Sequence, residues 1–346
     1  MLSRRVIVVL AALLFFGGAV GGGGSMLVFG PNTLPGEPRS VVIPRGASLG
    51  AAIDSLEARG ALVSPGAFRV MARGTGWGDQ IKAGHYRIRG QASNIRVLDR
   101  LRRGLQDPVR LTIPPGARPE AIARVAGRRL ESSPGAFHEA LRDTSLAREL
   151  DTTPARLFGY ILPETYEFYW QTNPERVVRR IKGSFDRFYD RRLAAHADSL
   201  GLSKHEVVTL ASIIEWEALL NDEKPMIAGV YLNRLDDGWR LQADPTIQYV
   251  LLQTRGERTQ RVLYEDLEID HPYNTYQNAG LPPGPITNPS PAALRATVRP
   301  AEHDYYYFSA TGEGGHIFSR TLQEHNRAAQ KYHRRLEQRR QDDSSR

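Results

Sequence analysis

Two glutamates stand two residues apart in the stretch "LASIIEWEALL" (210–220), where a run of Leu, Ala and Ile ends. A carboxylate beside a buried apolar face is costly unless it is paired, protonated or used. Its useful chemistry is proton transfer, because burial favours the neutral form that a general acid requires. On a helix, Val207, Leu210, Ala211, Ile214 and Ala218 make one apolar stripe with Glu215 at its edge. Glu217 lies about 160° further round by the same geometry, so the two cannot flank one bond as a carboxylate pair. Glu215 stacks against small neighbours, Ala211, Ser212 and Ala218, which leave room for a substrate. It is the expected general acid, with desolvation raising its pKa. Glu217 is expected to pair with an arginine and support the structure.

Other chemistries are disfavoured. "HEVVT" (205–209) begins like the zinc motif H-E-x-x-H, but Thr209 stands where the second histidine belongs. The absence of cysteine excludes disulfides and thiolate metal sites. No metal and no cofactor are expected.

The elements that must position Glu215 are legible around it. Ser203 and Glu206 form an S-x-x-E capping box, which starts the helix at Lys204. From about residue 155 the chain is rich in Tyr, Phe and Trp. Turn-rich segments such as "HPYNTYQNAGLPPGPITNPSPAAL" separate its helices, the texture of a cleft. Upstream there is an internal repeat: "IPRGASLGAAIDSLEARGALVSPGAF" from Ile43 and "IPPGARPEAIARVAGRRLESSPGAF" from Ile113. Each copy reads as a short strand, a Pro/Gly turn, a helix, and a second helix with Pro in its first turn. Between them "AGHYRIRG" reads as a strand and "SNIRVLDRLRRG" as a helix capped by Ser93 and ended by Gly104. The repeat serves either as a stalk or as a glycan-binding module.

The N-terminus has Arg4 and Arg5 followed by no charge from Val6 to Gly30. Residues 6–29 are expected to span a membrane, with 1–5 cytoplasmic and the body outside. A cleaved signal peptide is the rival; "MLVF" resumes the apolar run and no A-x-A site follows, which favours a retained anchor. Residues 30–40 read as a Gly/Pro-rich linker and 334–346 as a polar tail. The net charge of +8 is spread along the chain without a nucleic-acid-binding motif, and suits a polyanionic envelope or membrane surface. No nucleic-acid partner is expected.

Four segments in fixed order, "ASIIEWEA", "YLNRLDDGWRLQADPTIQY", "YNTYQNAGLPPGPITNPSPAAL" and "GGHIFSRTLQEHN", resemble the endolytic murein transglycosylases, the YceG-like (MltG) family. The similarity runs over about 40–333. It implies an α+β protein on the outer side of the cytoplasmic (inner) membrane. A membrane anchor would lead to a LysM-like module (41–150) and a catalytic domain (151–333) of mixed helix and strand. It implies Glu215 as the catalytic residue of a lytic transglycosylase, which cleaves the MurNAc–GlcNAc bond of nascent strands and leaves 1,6-anhydro ends. Glycan strands, the membrane and peptidoglycan synthases are the implied partners.

On that resemblance, Tyr273, Tyr276 and Phe318 offer faces for sugar rings, and Gln242, Asn274 and Thr275 offer hydrogen bonds. Asp244 either stabilises positive charge at the reacting carbon or caps the helix beginning "PTIQYVL". His316 is either a turn residue or a substrate contact. Phe158 stands where family members commonly carry an acidic residue. Two rival readings stay open: a muramidase with Asp244 or Glu164 as second carboxylate, and a non-catalytic tethered wall-binding protein.

Overall fold

The computed structural model describes residues 28–256, 259, 262–311 and 314–330. Apart from Val28 and Phe29, the expected membrane span lies outside them, as do residues 1–5 and the tail. Among the described residues no helix is long and apolar enough to cross a membrane.

Both copies of the repeat fold as their punctuation dictates. In the first, Arg39–Ile43 forms β1, Gly46 turns the chain at φ 73°, and α1 runs Leu49–Ala58. Ser64 then caps α2 (Pro65–Gly74) by accepting the Ala67 N–H. The strand β2 (Gly84–Ile88) pairs antiparallel with β1, Val41 opposite Tyr86. The helix α3 (Asn94–Arg103) ends at Gly104, which is left-handed at φ 66°. Ser93 occupies the expected cap position, but its side chain makes no capping bond. Ile53, Leu56, Phe68, Tyr86, Leu98 and Leu101 fill the core of this first unit.

The expected linker is part of that unit, not a free spacer. Asn32 donates to Ser64 O and to Asn94 Oδ1, and Thr33 donates to Arg89 O. Both side chains are buried, so these polar groups are fixed by bonds that solvent cannot replace.

The second copy repeats the pattern: β3 (Val109–Thr112), a turn with Gly116 at φ 67°, α4 (Pro119–Gly127), and Ser133 capping α5 (Pro134–Arg142). It does not stay with the first. The first unit takes in the described residues up to Arg110 with 129–131 and 167–172, and the rest of the chain forms the second. The division between the two units falls within β3.

The second unit continues through α6 (Thr144–Glu149), α7 (Pro154–Leu157), the first half of β4 (Thr165–Phe168), α8 (Pro174–Arg192) and α9 (Ala194–Ser199). Then come α10 (Lys204–Glu217), α11 (Lys224–Asp236), α12 (Asp244–Arg255), α13 (Pro291–Val298), β5 (Tyr307–Ala310) and β6 (His316–Ser319). Sheets are small two-stranded pairs, β1–β2, β3–β4 and β5–β6, in an α+β arrangement dominated by helices.

The axis of the second unit is α10. It starts at Lys204 with both capping-box bonds present, as expected. Its apolar character is not a single stripe: every residue from Val207 to Ile214 is buried, because α11, α12 and α13 all pack on it. Asn288, fully buried, ties the second copy's turn to this assembly. Its Oδ1 accepts Ala117 N–H, and its Nδ2 donates to the carbonyls of Pro114 and Ile161. Those bonds are the physical reason that the turn belongs with the second unit.

Asn288→Ala strands two carbonyls and one amide in the interior. The expected loss is about 2–4 kcal/mol of stability, read from urea unfolding. A loss under about 0.5 kcal/mol, the range of ordinary surface changes, would show that Asn288 is not the clamp.

Candidate active site

The two glutamates at the end of α10 enter different environments. Glu215 has a side chain only 9% exposed. Its Oε2 accepts from Lys224 Nζ at 3.1 Å, from the Ser290 amide at 3.1 Å and from the Ser290 hydroxyl. Oε1 has no hydrogen-bond partner among the described residues. Ser290 is the N-cap of α13 and also accepts the Ala293 N–H, so the positive end of that helix faces Glu215. Lys224 opens α11, is 4% exposed, and bonds to Ser290 Oγ as well at 3.4 Å.

Neighbouring turns hold this arrangement in place. A Cβ on Gly116 would lie 3.4 Å from Trp216 Nε1 and 4.0 Å from Glu215 Cγ, so the second copy's turn borders the carboxylate. Trp216 fixes that turn by donating to Gly116 O at 3.0 Å. This answers why "EWE" ends a buried helix: the indole holds a wall of the site. His316 settles as a positioning residue. Its amide and its Nδ1 engage the two oxygens of Glu223, each at 2.8 Å, and Glu223 directly precedes Lys224.

Among the described residues no arginine forms an ion pair with Glu217, contrary to expectation. Arg234 instead donates to the carbonyls of Tyr306 and Leu241. The residue as a whole is half-buried, and its carboxyl lies among Tyr231, Asp244 and Arg234. Burial, then the Asp244 carboxylate, push it up from 4.5 to about 8; Tyr231 and Arg234 oppose the shift. A raised pKa is thus found at Glu217, which the helical reading assigns to the scaffold.

The remaining sequence-predicted residues separate into two groups. Asn274 and Thr275 are buried with their polar atoms engaged internally. Asn274 donates to Leu267 O and Ile269 O, and Thr275 Oγ1 accepts the Ala243 N–H. They shape the loop and cannot reach a substrate as expected. Asp244 and Gln242 are exposed, and Gln242 holds a left-handed backbone at φ 49°, unusual for its type. Asp244 does not cap α12, whose N-cap is Ala243; its carboxylate accepts from Tyr276 Oη at 2.5 Å. Tyr273 is half-buried with its ring 4.8 Å from Tyr249, and Phe318 is half-buried with its ring 6.1 Å from Phe308. Phe158 is buried at one wall of a cavity of about 330 Å³ that Tyr249 also lines.

Lys224 and Ser290 were not foreseen. The signals were present: Ser-Pro before an apolar run marks a cap, and Lys224 shares one helical face with Ile227, Ala228 and Tyr231.

Comparison with known proteins decides the family. The YceG-like family model matches residues 41–331. The chain belongs to the YceG-like family. It is 31% identical over 312 residues to the endolytic murein transglycosylase of Bacillus subtilis, covering 85% of this chain and 84% of that one. It is 28% identical over 320 residues to the enzyme of that name from Streptococcus pneumoniae, covering 83% of this chain and 57% of that longer protein. The 2.6 Å crystal structure of a yceG-like protein from Listeria monocytogenes superposes with a TM-score of 0.60 at 30% identity, over 84% of this chain and 98% of that one.

The environment of Glu217 has a signed consequence for stability. Its carboxyl is ionised in the unfolded chain above about 4.5 but stays protonated in the folded one up to about 8. The folded state binds the extra proton in that window, so stability falls as pH rises through it. Glu217→Gln is expected to abolish this part of the pH dependence, seen as unfolding midpoints that diverge from the native protein's between pH 5 and 8. Parallel midpoint curves would contradict the assignment.

Proposed function

We propose that this chain is a membrane-tethered endolytic lytic transglycosylase. It cuts the MurNAc–GlcNAc bond of nascent glycan strands with Glu215 as its single acid and base. One observation carries the reading: Oε2 of a covered carboxylate is saturated by Lys224 and Ser290, while Oε1 has no partner among the described residues. Proton exchange with a substrate is thereby confined to one oxygen.

In the proposed reaction, neutral Glu215 delivers the Oε1 proton to the glycosidic O4 as the C1–O4 bond breaks. The carboxylate so formed is stabilised by donors already in position, Lys224 and Ser290. The C6 hydroxyl of the same muramic acid then bonds to C1 and returns its proton to Oε1. No water is consumed. The attack is intramolecular and gains from high effective molarity. Tyr273, Tyr276 and Phe318 supply ring surfaces, and the exposed Gln242 and Asp244 supply polar contacts.

The names of the relatives support the reaction class and substrate. The uncharged segment 6–29 supports a tether that keeps the site near nascent strands and their synthases, on the outer side of the cytoplasmic membrane. The order β1, α1, α2, β2 supports a LysM-like module. A second reading rests on Glu217, whose buried carboxyl is held protonated to about 8 beside the Asp244 carboxylate, as a hydrolase's general acid would be.

Glu215→Gln is expected to lower cleavage of purified peptidoglycan by about 10²–10⁴-fold, measured under conditions where its unfolding transition shows the variant folded, since it also leaves Lys224 without its counter-charge. Glu217→Gln is expected to retain most of the rate. The reverse pattern, with Glu215→Gln active and Glu217→Gln dead, would transfer the role to the second reading.

A further inference from the structure

The first unit holds a built pocket that the glycan chemistry does not use. It is a hollow of about 380 Å³ whose lining includes Arg87, Arg89, Arg96 and Arg100 but only one carboxylate, Asp99. The convergence follows from two periodicities. Tyr86 and Ile88 point into the core, so the alternate residues Arg87 and Arg89 stand on the outward face of β2 and its continuation. Arg96 and Arg100, four apart, share one face of α3.

Little of this charge is neutralised internally. Asp99 is occupied by Arg102 at 2.7 Å and Arg103 at 3.5 Å. Arg100 is paired outside the lining with Asp107 at 2.6 Å. Arg87, Arg89 and Arg96 have no ion pair among the described residues, and all three are exposed.

The rim is also held rigid. Thr33 Oγ1 donates to Arg89 O and accepts the Ala92 N–H. Gly90 packs so closely that a Cβ there would fall 2.9 Å from the carbonyl oxygens of Leu34 and Gly36. Gln91 turns the chain at φ 57°. Three unpaired guanidinium groups around one fixed hollow repel one another, and a multiply charged anion removes that repulsion. Guanidinium forks match phosphate oxygens in bidentate fashion, and a rigid rim lowers the cost of ordering them.

We propose that this pocket binds a phosphate or diphosphate group. Two sources share that chemistry: the headgroup of an acidic phospholipid, and a soluble phosphate compound.

The test is calorimetric titration of the full-length protein in neutral detergent with inorganic pyrophosphate. Saturable binding is expected, weakening as salt rises. Arg89→Gln combined with Arg96→Gln should weaken it by about tenfold or more, the scale of lost charge-assisted bonds. A control of equal charge loss, Arg69→Gln with Arg73→Gln on the exposed face of α2, should change it by less than about twofold. Displacement of pyrophosphate by soluble short-chain phosphatidylglycerol assigns the lipid source, and failure to displace assigns the soluble one; either outcome supports the site. Absence of saturable binding, or equal weakening in both double variants, would overturn it.

Discussion

The second unit is organised around one constraint: a carboxylate nine-tenths covered at the end of its central helix must be matched by donors held against it by the fold. Glu215 and Lys224 satisfy each other, with side chains only 9% and 4% exposed. Breaking one partner of such a pair leaves an uncompensated buried charge, which costs about 3–5 kcal/mol. The fold therefore has to deliver Lys224, Ser290 and Glu215 to one point. The capping Ser290 does so by starting α13 there, and His316 does so by fixing Glu223 at the start of α11.

The same constraint explains the fate of the duplicated segment. Both copies keep the strand, the left-handed glycine and a helix pair whose second member is capped by serine. Only the second copy's turn is held by Trp216 and Asn288, and so walls the carboxylate. The local motif is alike in the two copies while its surroundings differ. Trp216 stands between two glutamates with different surroundings, and its indole bonds the turn that borders one of them.

Features set by short-range chemistry were legible in the sequence. The capping box at Ser203, the Ser-Pro starts of α2 and α5, and the glycine end of α3 all stand where the residue types place them. What depends on distant packing was not. One apolar stripe on α10 could not announce three helices covering it from every side. Asn274 and Thr275 carry the polar atoms of a binding loop, yet that loop folds onto its own backbone and α12 and consumes them. The surroundings of the two glutamates are supplied by Lys224 and Ser290 for one and by Tyr231 and Asp244 for the other, residues up to 75 positions away along the chain. Helical spacing alone put the glutamates on different faces but could not say which face held the cation.

In the proposed reaction a single carboxylate gives and recovers one proton, which leaves no role for water in the bond exchange. Digestion of purified peptidoglycan in heavy-oxygen water, followed by mass spectrometry of the new muramyl ends, tests that claim most directly. The account predicts anhydro termini, one water lighter than hydrolysis products and free of heavy oxygen. Heavy oxygen incorporated at the muramyl C1 would show that water attacked, and would contradict it.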